Sequence, residues 1–171
     1  IKDANQKLKE VDIDSYQLDS EILMSKVIKK KREHIILNSN DNLSNTELAY
    51  FNDLIKERCR GKPISYLVGK KYFWKYEFNI WEGVLIPRPD SEIIVEQVLL
   101  FSKNRSKLKV LEVGIGSGCI LLSILKEKKD FYSVGIDISK KCIDLSRLNS
   151  KKLGVNNRIK LFKTNVDNFK Y

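Results

Sequence analysis

The chain of 171 residues is 42% hydrophobic and carries a formal net charge of +10. This length allows one large domain or two small ones, and no run approaches the roughly 18 apolar residues of a membrane-spanning helix. No secretory leader is visible, and three cysteines without Cys-x-x-Cys spacing favour reduced thiols in the cytoplasm. The charge is spread, with 15 basic and 12 acidic residues up to position 81 and 17 and 10 beyond it. Composition therefore argues against a membrane protein and a disulfide scaffold, and charge alone does not indicate nucleic-acid binding.

The first sixty residues have helical periodicity. Apolar residues recur at three- and four-residue steps over positions 15–28, which predicts an amphipathic helix. Residues 44–47, Ser-Asn-Thr-Glu, form a capping box that begins a further helix, and Gly61 is placed to end it. Between these helices, residues 38–42 have the composition of a loop. Together these patterns predict a helical domain over residues 1–69.

The segment from Tyr72 to Trp81 holds six of the sixteen aromatic residues of the chain. Aromatic residues among lysines are typical of surfaces that stack single-stranded nucleic acid. Here large and polar side chains alternate, however, and alternation favours a half-buried strand. We interpret the segment as one arm of a β-hairpin that turns near Glu82-Gly83, within a linker over residues 70–86.

The remaining residues, 87–171, predict an α/β domain. Ile86-Pro87-Arg88-Pro89-Asp90-Ser91-Glu92 leads into a helix, because the prolines hold the approach extended and Asp90 or Ser91 can cap the helix. Strands and helices then alternate in this order: strand 109–113, helix 118–128, strand 133–137, helix 140–153 and strand 158–164. Such alternation predicts a parallel sheet with helices on both faces, and a ligand at the carboxyl ends of the strands.

A glycine-rich loop, Gly114-Ile115-Gly116-Ser117-Gly118, joins the first of these strands to the helix that follows. Glycines allow the backbone to approach a ligand closely, and the helix N-terminus adds outward-pointing amide N–H groups. About twenty residues on, Asp137 ends the second strand, where an acid is placed to bind the two hydroxyls of a ribose. The spacing predicts a nucleoside-containing cofactor.

Glu112, two residues before the first glycine, discriminates between cofactors. A dinucleotide fingerprint has glycine or alanine at its third small position, which here would be position 119. That position is Cys119, and the third glycine lies one residue earlier, at Gly118. The negative charge of Glu112 would also repel a diphosphate and attract an ammonium group. S-adenosylmethionine, which has an ammonium group, a sulfonium and a ribose, fits this site best. A nicotinamide or flavin site and a turn that binds nothing stay as alternatives.

Three segments together resemble the HemK/PrmC family, the glutamine methyltransferases that modify bacterial peptide-chain release factors. The first runs from Gly61 to Gly69 and contains Pro-Ile-Ser-Tyr-Leu-Val-Gly; the second is Pro-Arg-Pro-Asp-Ser-Glu at residues 87–92; the third is the glycine loop with Glu112 before it. The second segment is the most specific of the three. The resemblance extends over essentially the whole chain.

The resemblance implies a helical domain that helps to hold the release factor, followed by the first half of a Rossmann-like class I methyltransferase sheet. It also implies which residues bind S-adenosylmethionine and which line the active site. The binding residues are Glu112, Gly114, Ile115, Gly116, Ser117, Gly118, Asp137, Ile138, Asn165 and Val166, and the lining residues are Arg88, Pro89, Asp90 and Glu92. Asn165 and Val166 stand where the family usually has an acid and an aromatic residue beside the adenine.

The family's Asn-Pro-Pro-Tyr motif does not occur in this sequence, and both ends of the chain look cut. In the family that motif orients the substrate amide, which is a poor nucleophile, toward the methyl group. We therefore expect a segment with a cofactor loop but with no catalytic residue, from a cytoplasmic, monomeric protein without a metal site. Two further hypotheses stay open: a methyltransferase acting on nucleic-acid amino groups, and a non-catalytic fragment.

Overall fold

The computed structural model describes residues 1–37 and 42–170. The loop predicted over residues 38–42 therefore lies outside the described residues, except for Asn42. The chain divides into two compact units, residues 1–68 and residues 69–171. The predicted order of a helical part, a β-hairpin and a parallel sheet is confirmed. In the described part of the chain, no helix is both long and apolar enough to cross a membrane.

In its described residues, the regular structure of the first unit is helical. Its described helices are α1 (Lys2–Lys9), α2 (Tyr16–Ile28), α3 (Arg32–Leu37), α4 (Asn45–Cys59) and α5 (Ile64–Val68). The capping box at the start of α4 is confirmed: the Ser44 hydroxyl accepts from the Glu47 amide, and the Glu47 carboxylate accepts from the Ser44 amide at 2.9 Å. Apolar residues of α1, α2 and α4 share one core, in which Leu8, Leu23 and Phe51 are buried.

The hairpin that begins the second unit differs from its prediction. β1 (Lys70–Phe73) pairs antiparallel with β2 (Tyr76–Asn79), so the chain turns at Trp74-Lys75. The turn expected near Glu82-Gly83 is wrong, because the aromatic segment contains parts of two strands and not one. Phe73 and Phe78 form the buried side of the hairpin, with ring centroids 6.3 Å apart in an edge-on arrangement.

Tertiary contacts explain a turn at a tryptophan. Trp74 has a φ of 56°, a left-handed conformation that costs a residue with a side chain about 1 kcal/mol or more. Its amide donates to Glu92 Oε1 at 2.7 Å, and its indole N–H donates to Glu127 at 2.9 Å. Tyr76 and Lys75 also donate to the Glu127 carboxylate, at 2.9 and 3.2 Å. These bonds to two carboxylates offset the backbone strain.

Replacing Glu127 with alanine is expected to destabilise the second unit by about 1–3 kcal/mol, because three donors of the turn lose a charged acceptor. Partial burial alone would raise the pKa of Glu127, but the bonds from Trp74, Lys75 and Tyr76 outweigh it and hold the pKa below its usual range. This contribution is present above the pKa of the unfolded chain and is lost as the pH falls through the folded value. Urea unfolding followed by tryptophan fluorescence measures the effect. The exposed Glu96→Ala is the control, and an equal loss in both variants would contradict the assigned role.

The segment after the hairpin leads into α6 (Glu92–Phe101) through a short 3₁₀ turn (Pro89–Ser91). Ser91 is the N-cap residue, but its side chain makes no capping hydrogen bond. The helix buries Val95 and leaves Ile94 and Phe101 47% and 70% exposed.

The parallel sheet contains β3 (Lys109–Val113), β4 (Tyr132–Asp137) and β5 (Ile159–Lys163), in the order β3-β4-β5. The connecting helices are α7 (Cys119–Glu127) and α8 (Lys140–Lys152), and 3₁₀ turns lie at Asn156–Arg158 and Val166–Asn168. On one face, side chains of β3 and β5 pack on Leu121 and Ile143 of these helices. On the other face, Leu111 and Val113 are more than half exposed. Within the described residues, the helical layer expected on both faces is therefore not found over β3.

Candidate functional site

The glycine loop, residues 114–118, directs most of its amide groups into the protein. Gly114 N and Ile115 N both donate to the Ile136 carbonyl, at 2.9 and 3.0 Å, and Gly118 N donates to the Ile115 carbonyl at 2.8 Å. Gly116 N donates to Asp137 Oδ2 at 3.0 Å. The loop is thus tied to the end of β4, and these amides are engaged where the sequence predicted that they would face a ligand.

Two glycines of the loop have open space beside them. Gly114 and Gly116 have φ values of +74° and +57°, which residues with a Cβ rarely adopt. A Cβ on Gly114 would meet no atom within 4 Å, and one on Gly116 would meet only the Gly114 carbonyl oxygen, at 3.9 Å. A ligand can therefore lie directly against the backbone at these two positions. Gly118 is different, because it faces Leu122 and Ser146 inside the unit.

Glu112 lies beneath the start of α7. Its Oε2 accepts from the Leu121 amide at 3.2 Å, in the first turn of the helix. Burial of the carboxyl group, with a smaller contribution from the nearby charge of Asp137, raises the pKa of Glu112 to about 8, although the bond from Leu121 opposes the shift. The helix N-terminus thus already has a carboxyl group of the protein beside it, at a place where an anionic ligand would otherwise bind.

Asp137, at the end of β4, connects the loop to the start of α8. Its Oδ2 accepts from Gly116 N and its Oδ1 accepts from Ser139 N at 2.8 Å. A carboxylate has about four acceptor positions, so capacity remains for two ligand hydroxyls. The side chain is half-buried, and Ile138 next to it is 73% exposed.

The end of β5 lies beside the same edge of the sheet. Thr164 N donates to the Asp137 carbonyl at 3.0 Å, which brings the following residues close to Asp137. The Asn165 side chain accepts from Asp167 N at 3.4 Å, and Val166 is 50% exposed. The structure therefore gathers the predicted residues of β3, β4 and β5 at the carboxyl edge of the sheet.

The segment 88–92, which was predicted to line the active site, has two parts with different surroundings. Arg88, Pro89 and Asp90 are exposed, whereas Glu92 binds the Trp74 amide at the hairpin turn. The chain reaches this segment along α8, where Val84 packs against Cys142 and Leu145. Glu92 thus has a structural partner that the sequence did not reveal.

Two buried polar residues of α8 hold the loop from behind, and sequence reasoning missed both. Ser146 Oγ donates to the Gly116 carbonyl at 2.9 Å, and Asn149 Nδ2 donates to the Ser117 carbonyl at 2.9 Å. Both residues are fully buried. They are three positions apart and so share one helix face with the apolar stripe. In the sequence of α8, these two polar residues stand at positions that continue its buried apolar stripe, and this pattern was the signal that could have identified them.

Two other features near the sheet do not contribute to the site. Burial raises the pKa of the Cys119 thiol to about 12, so this cysteine stays protonated at neutral pH and is not a nucleophile. A cavity of about 490 Å³ is lined by residues such as Leu111, Tyr132 and Ile159. It lies toward the amino ends of the three strands, away from the glycine loop.

The fold and the site define the class of the second unit: an α/β domain with a Rossmann-like strand, glycine loop and helix, and two carboxyl groups at the carboxyl edge of its sheet. Residues 1–69 match the family model of the PrmC N-terminal domain. The chain is 42% identical over 157 residues to the release factor glutamine methyltransferase of Buchnera aphidicola subsp. Baizongia pistaciae, covering 92% of this chain and 56% of that protein. It is 40% identical over 165 residues to the protein of the same name from Clostridium acetobutylicum, covering 94% and 58%. The resemblance to the HemK/PrmC family found in the motifs is confirmed.

The chain spans a little over half the length of these two relatives. Among solved structures, an RNA methyltransferase from Salinibacter ruber in complex with S-adenosyl-L-homocysteine aligns with a TM-score of 0.42 and 20% identity, over 49% of this chain and 53% of that one.

Proposed function

We propose that the chain binds S-adenosylmethionine at the glycine loop and serves the methylation of a glutamine side-chain amide in the Gly-Gly-Gln motif of peptide-chain release factors. The names of the Buchnera and Clostridium relatives support the reaction class and the substrate. A release-factor substrate would place the protein in the cytoplasm, and we propose that it acts as a monomer.

The position of Glu112 is the observation that carries the choice of cofactor. A diphosphate at the start of α7 would meet this carboxyl group and would find the amides of Gly114, Ile115 and Gly116 already bonded inside the protein. Both features suit an ammonium group, because it donates hydrogen bonds and accepts none. The carboxyl group of Glu112 can accept such a bond, and the engaged amides are not needed. The methionine end of S-adenosylmethionine supplies that ammonium group, together with the sulfonium-bound methyl group that would be transferred.

Other residues of the carboxyl edge have roles that suit the rest of the cofactor. Asp137 has acceptor capacity left for the ribose hydroxyls, and its orientation is fixed by Gly116 and Ser139. The exposed side chains of Ile138 and Val166 can cover the faces of the adenine. Asn165 can bond the adenine amino group in place of the family's acid.

Calorimetry on this chain tests the cofactor proposal. S-adenosylmethionine and S-adenosylhomocysteine are expected to bind, and NADH is not. Asp137→Ala should weaken binding at least about tenfold, since two bonds to the ribose are lost, whereas Asp144→Ala on the exposed side of α8 should leave affinity unchanged. Tighter binding of NADH, or no effect of Asp137→Ala, would overturn the assignment.

A titration with release factor tests the substrate proposal separately. The chain is expected to bind the factor, and single-stranded RNA should not compete. Effective competition by RNA would favour the alternative of a nucleic-acid methyltransferase. Because the 171 residues contain no Asn-Pro-Pro-Tyr segment, mass spectrometry of the factor after incubation with cofactor should show no methyl gain on the glutamine. A gain would contradict that expectation and would support the substrate.

A further inference from the structure

Asn149 of α8 uses its whole side chain to join two separate parts of the second unit. Its Oδ1 accepts from the Asn79 amide at 2.8 Å and from Asn79 Nδ2 at 3.0 Å. Its Nδ2 donates to the Asn79 carbonyl at 3.1 Å and to the Ser117 carbonyl at 2.9 Å. Two donor hydrogens and two acceptor positions are thus all engaged. Asn149 therefore binds the last residue of β2 on one side and the glycine loop on the other.

The four hydrogen bonds of the Asn149 side chain are expected to be strong, and only asparagine at this position can make all of them. The residue is fully buried, and hydrogen bonds in such surroundings are costly to leave unmade. The pair of bonds to the Asn79 amide and carbonyl imitates the pairing of a neighbouring strand. Aspartate would keep the acceptors but lose both donors, and alanine would lose all four bonds.

The hairpin is also held at its opposite end. Its turn binds Glu92 at the start of α6 and Glu127 at the end of α7, and Glu77 of β2 forms an ion pair with Lys152 of α8 at 2.8 Å. These bonds tie the hairpin to α6, α7 and α8 of the same unit. Asn149 extends this attachment to the loop, because among the hydrogen bonds of the described residues its side-chain amide is the group that bonds to both.

We propose that Asn149 is a positioning residue that couples the β-hairpin to the glycine loop and so holds the loop in its ligand-ready shape. Ser146 supports the same loop one position earlier, through the Gly116 carbonyl. Loss of Asn149 frees the Ser117 carbonyl and the Asn79 amide together, although 38 positions separate them in sequence. The effect on affinity rests on the proposed cofactor, but the effect on the empty loop does not.

Amide hydrogen exchange measured by NMR on the chain without cofactor is the primary test. In the wild-type chain, the Asn79 amide and both Nδ2 hydrogens of Asn149 should exchange slowly. In Asn149→Ala, exchange at Asn79, Gly116 and Gly118 should accelerate at least about tenfold. Val95→Ala in α6, a buried truncation away from the loop, controls for general loss of stability. Equal acceleration at these three amides in both variants would overturn the proposal.

Affinity and a milder variant complete the test. Asn149→Ala should weaken S-adenosylmethionine about tenfold or more by calorimetry, while Val95→Ala should not. If Asn149→Ala does not fold, Ser146→Ala removes only the bond to Gly116 and should accelerate exchange at Gly116 and Gly118 without affecting Asn79. Fast exchange of the Asn149 Nδ2 hydrogens in the wild-type chain would also refute the coupling. A wild-type chain that shows the predicted exchange but binds no cofactor would refute the proposed function and leave the coupling intact.

Discussion

The affinity of this chain for S-adenosylmethionine is expected to rise up to about tenfold for each pH unit between pH 6 and pH 7, with release of about one proton per ligand bound. In the empty protein, burial raises the pKa of Glu112 to about 8, so the carboxyl group is mostly protonated in this range. An ammonium group beside it favours the carboxylate. Binding must then expel the proton, and one proton released corresponds to a tenfold change in the binding constant per pH unit.

The same shift makes the stability of the empty chain depend on pH. The pKa of Glu112 is about 8 in the folded state, against the ordinary glutamate value of 4.5 in the unfolded state. Between these two pH values, the folded state therefore holds a proton that the unfolded state has lost. Stability from this group is therefore complete below about pH 4.5 and declines as the pH rises toward 8. A saturating cationic ligand should remove most of that decline, because it stabilises the ionised form.

Calorimetry in buffers with different ionisation enthalpies measures the released proton directly. Glu112→Gln is the matched variant, since an amide oxygen can still accept from Leu121 N but carries no proton to lose. Its affinity should be lower at pH 7 and independent of pH below about 7.5, where the ligand's own amino group remains charged. A wild-type chain that binds without proton release would show that no cationic group of the ligand approaches Glu112.

The sequence predicted those elements whose local pattern and tertiary surroundings agree. The strands and helices from β3 to β5 follow from apolar runs separated by glycine and polar turns, and each begins and ends within about two residues of its expected position. The capping box at Ser44 is equally local, since both partners lie within one helical turn. The placement of Glu112 and Asp137 at one edge follows from the geometry of parallel strands alone.

The sequence could not predict features that depend on contacts between distant residues. Alternating aromatic residues concealed the turn at Trp74, because Glu92 and Glu127 stabilise its backbone from 18 and 53 positions away. Asn149 has no local signature of its role, since its partners Asn79 and Ser117 are 70 and 32 positions distant. Similarly, a glycine loop does not reveal in sequence which of its amides turn inward. These features become visible only when the folded backbone brings the partners together.

Gly118→Ala is expected to lower the free energy of unfolding by about 2–4 kcal/mol, the sum of backbone strain and overpacking. Gly118 has a φ of +82°, and a Cβ there would lie 2.8 Å from Leu122 Cδ1 and 3.2 Å from Ser146 Oγ. Leu122 is fully buried and has little room to move. Displacement of Ser146 would also disturb its bond to the Gly116 carbonyl, so cofactor affinity should fall together with stability.

Gly154→Ala separates the two contributions. Gly154 follows α8 with a φ of +68°, but a Cβ there meets no atom within 4 Å, so this variant suffers the backbone strain alone, about 1 kcal/mol. Urea unfolding of both variants should therefore differ by about 1–3 kcal/mol, the overpacking contribution, and only Gly118→Ala should lose affinity for cofactor. Equal destabilisation of Gly118→Ala and Gly154→Ala would mean that Leu122 and Ser146 can move away from the new Cβ without loss of stability. In that case the loop would not be supported by close packing against α7 and α8, and its shape would have to depend on the hydrogen bonds from Ser146, Asn149 and Asp137 alone.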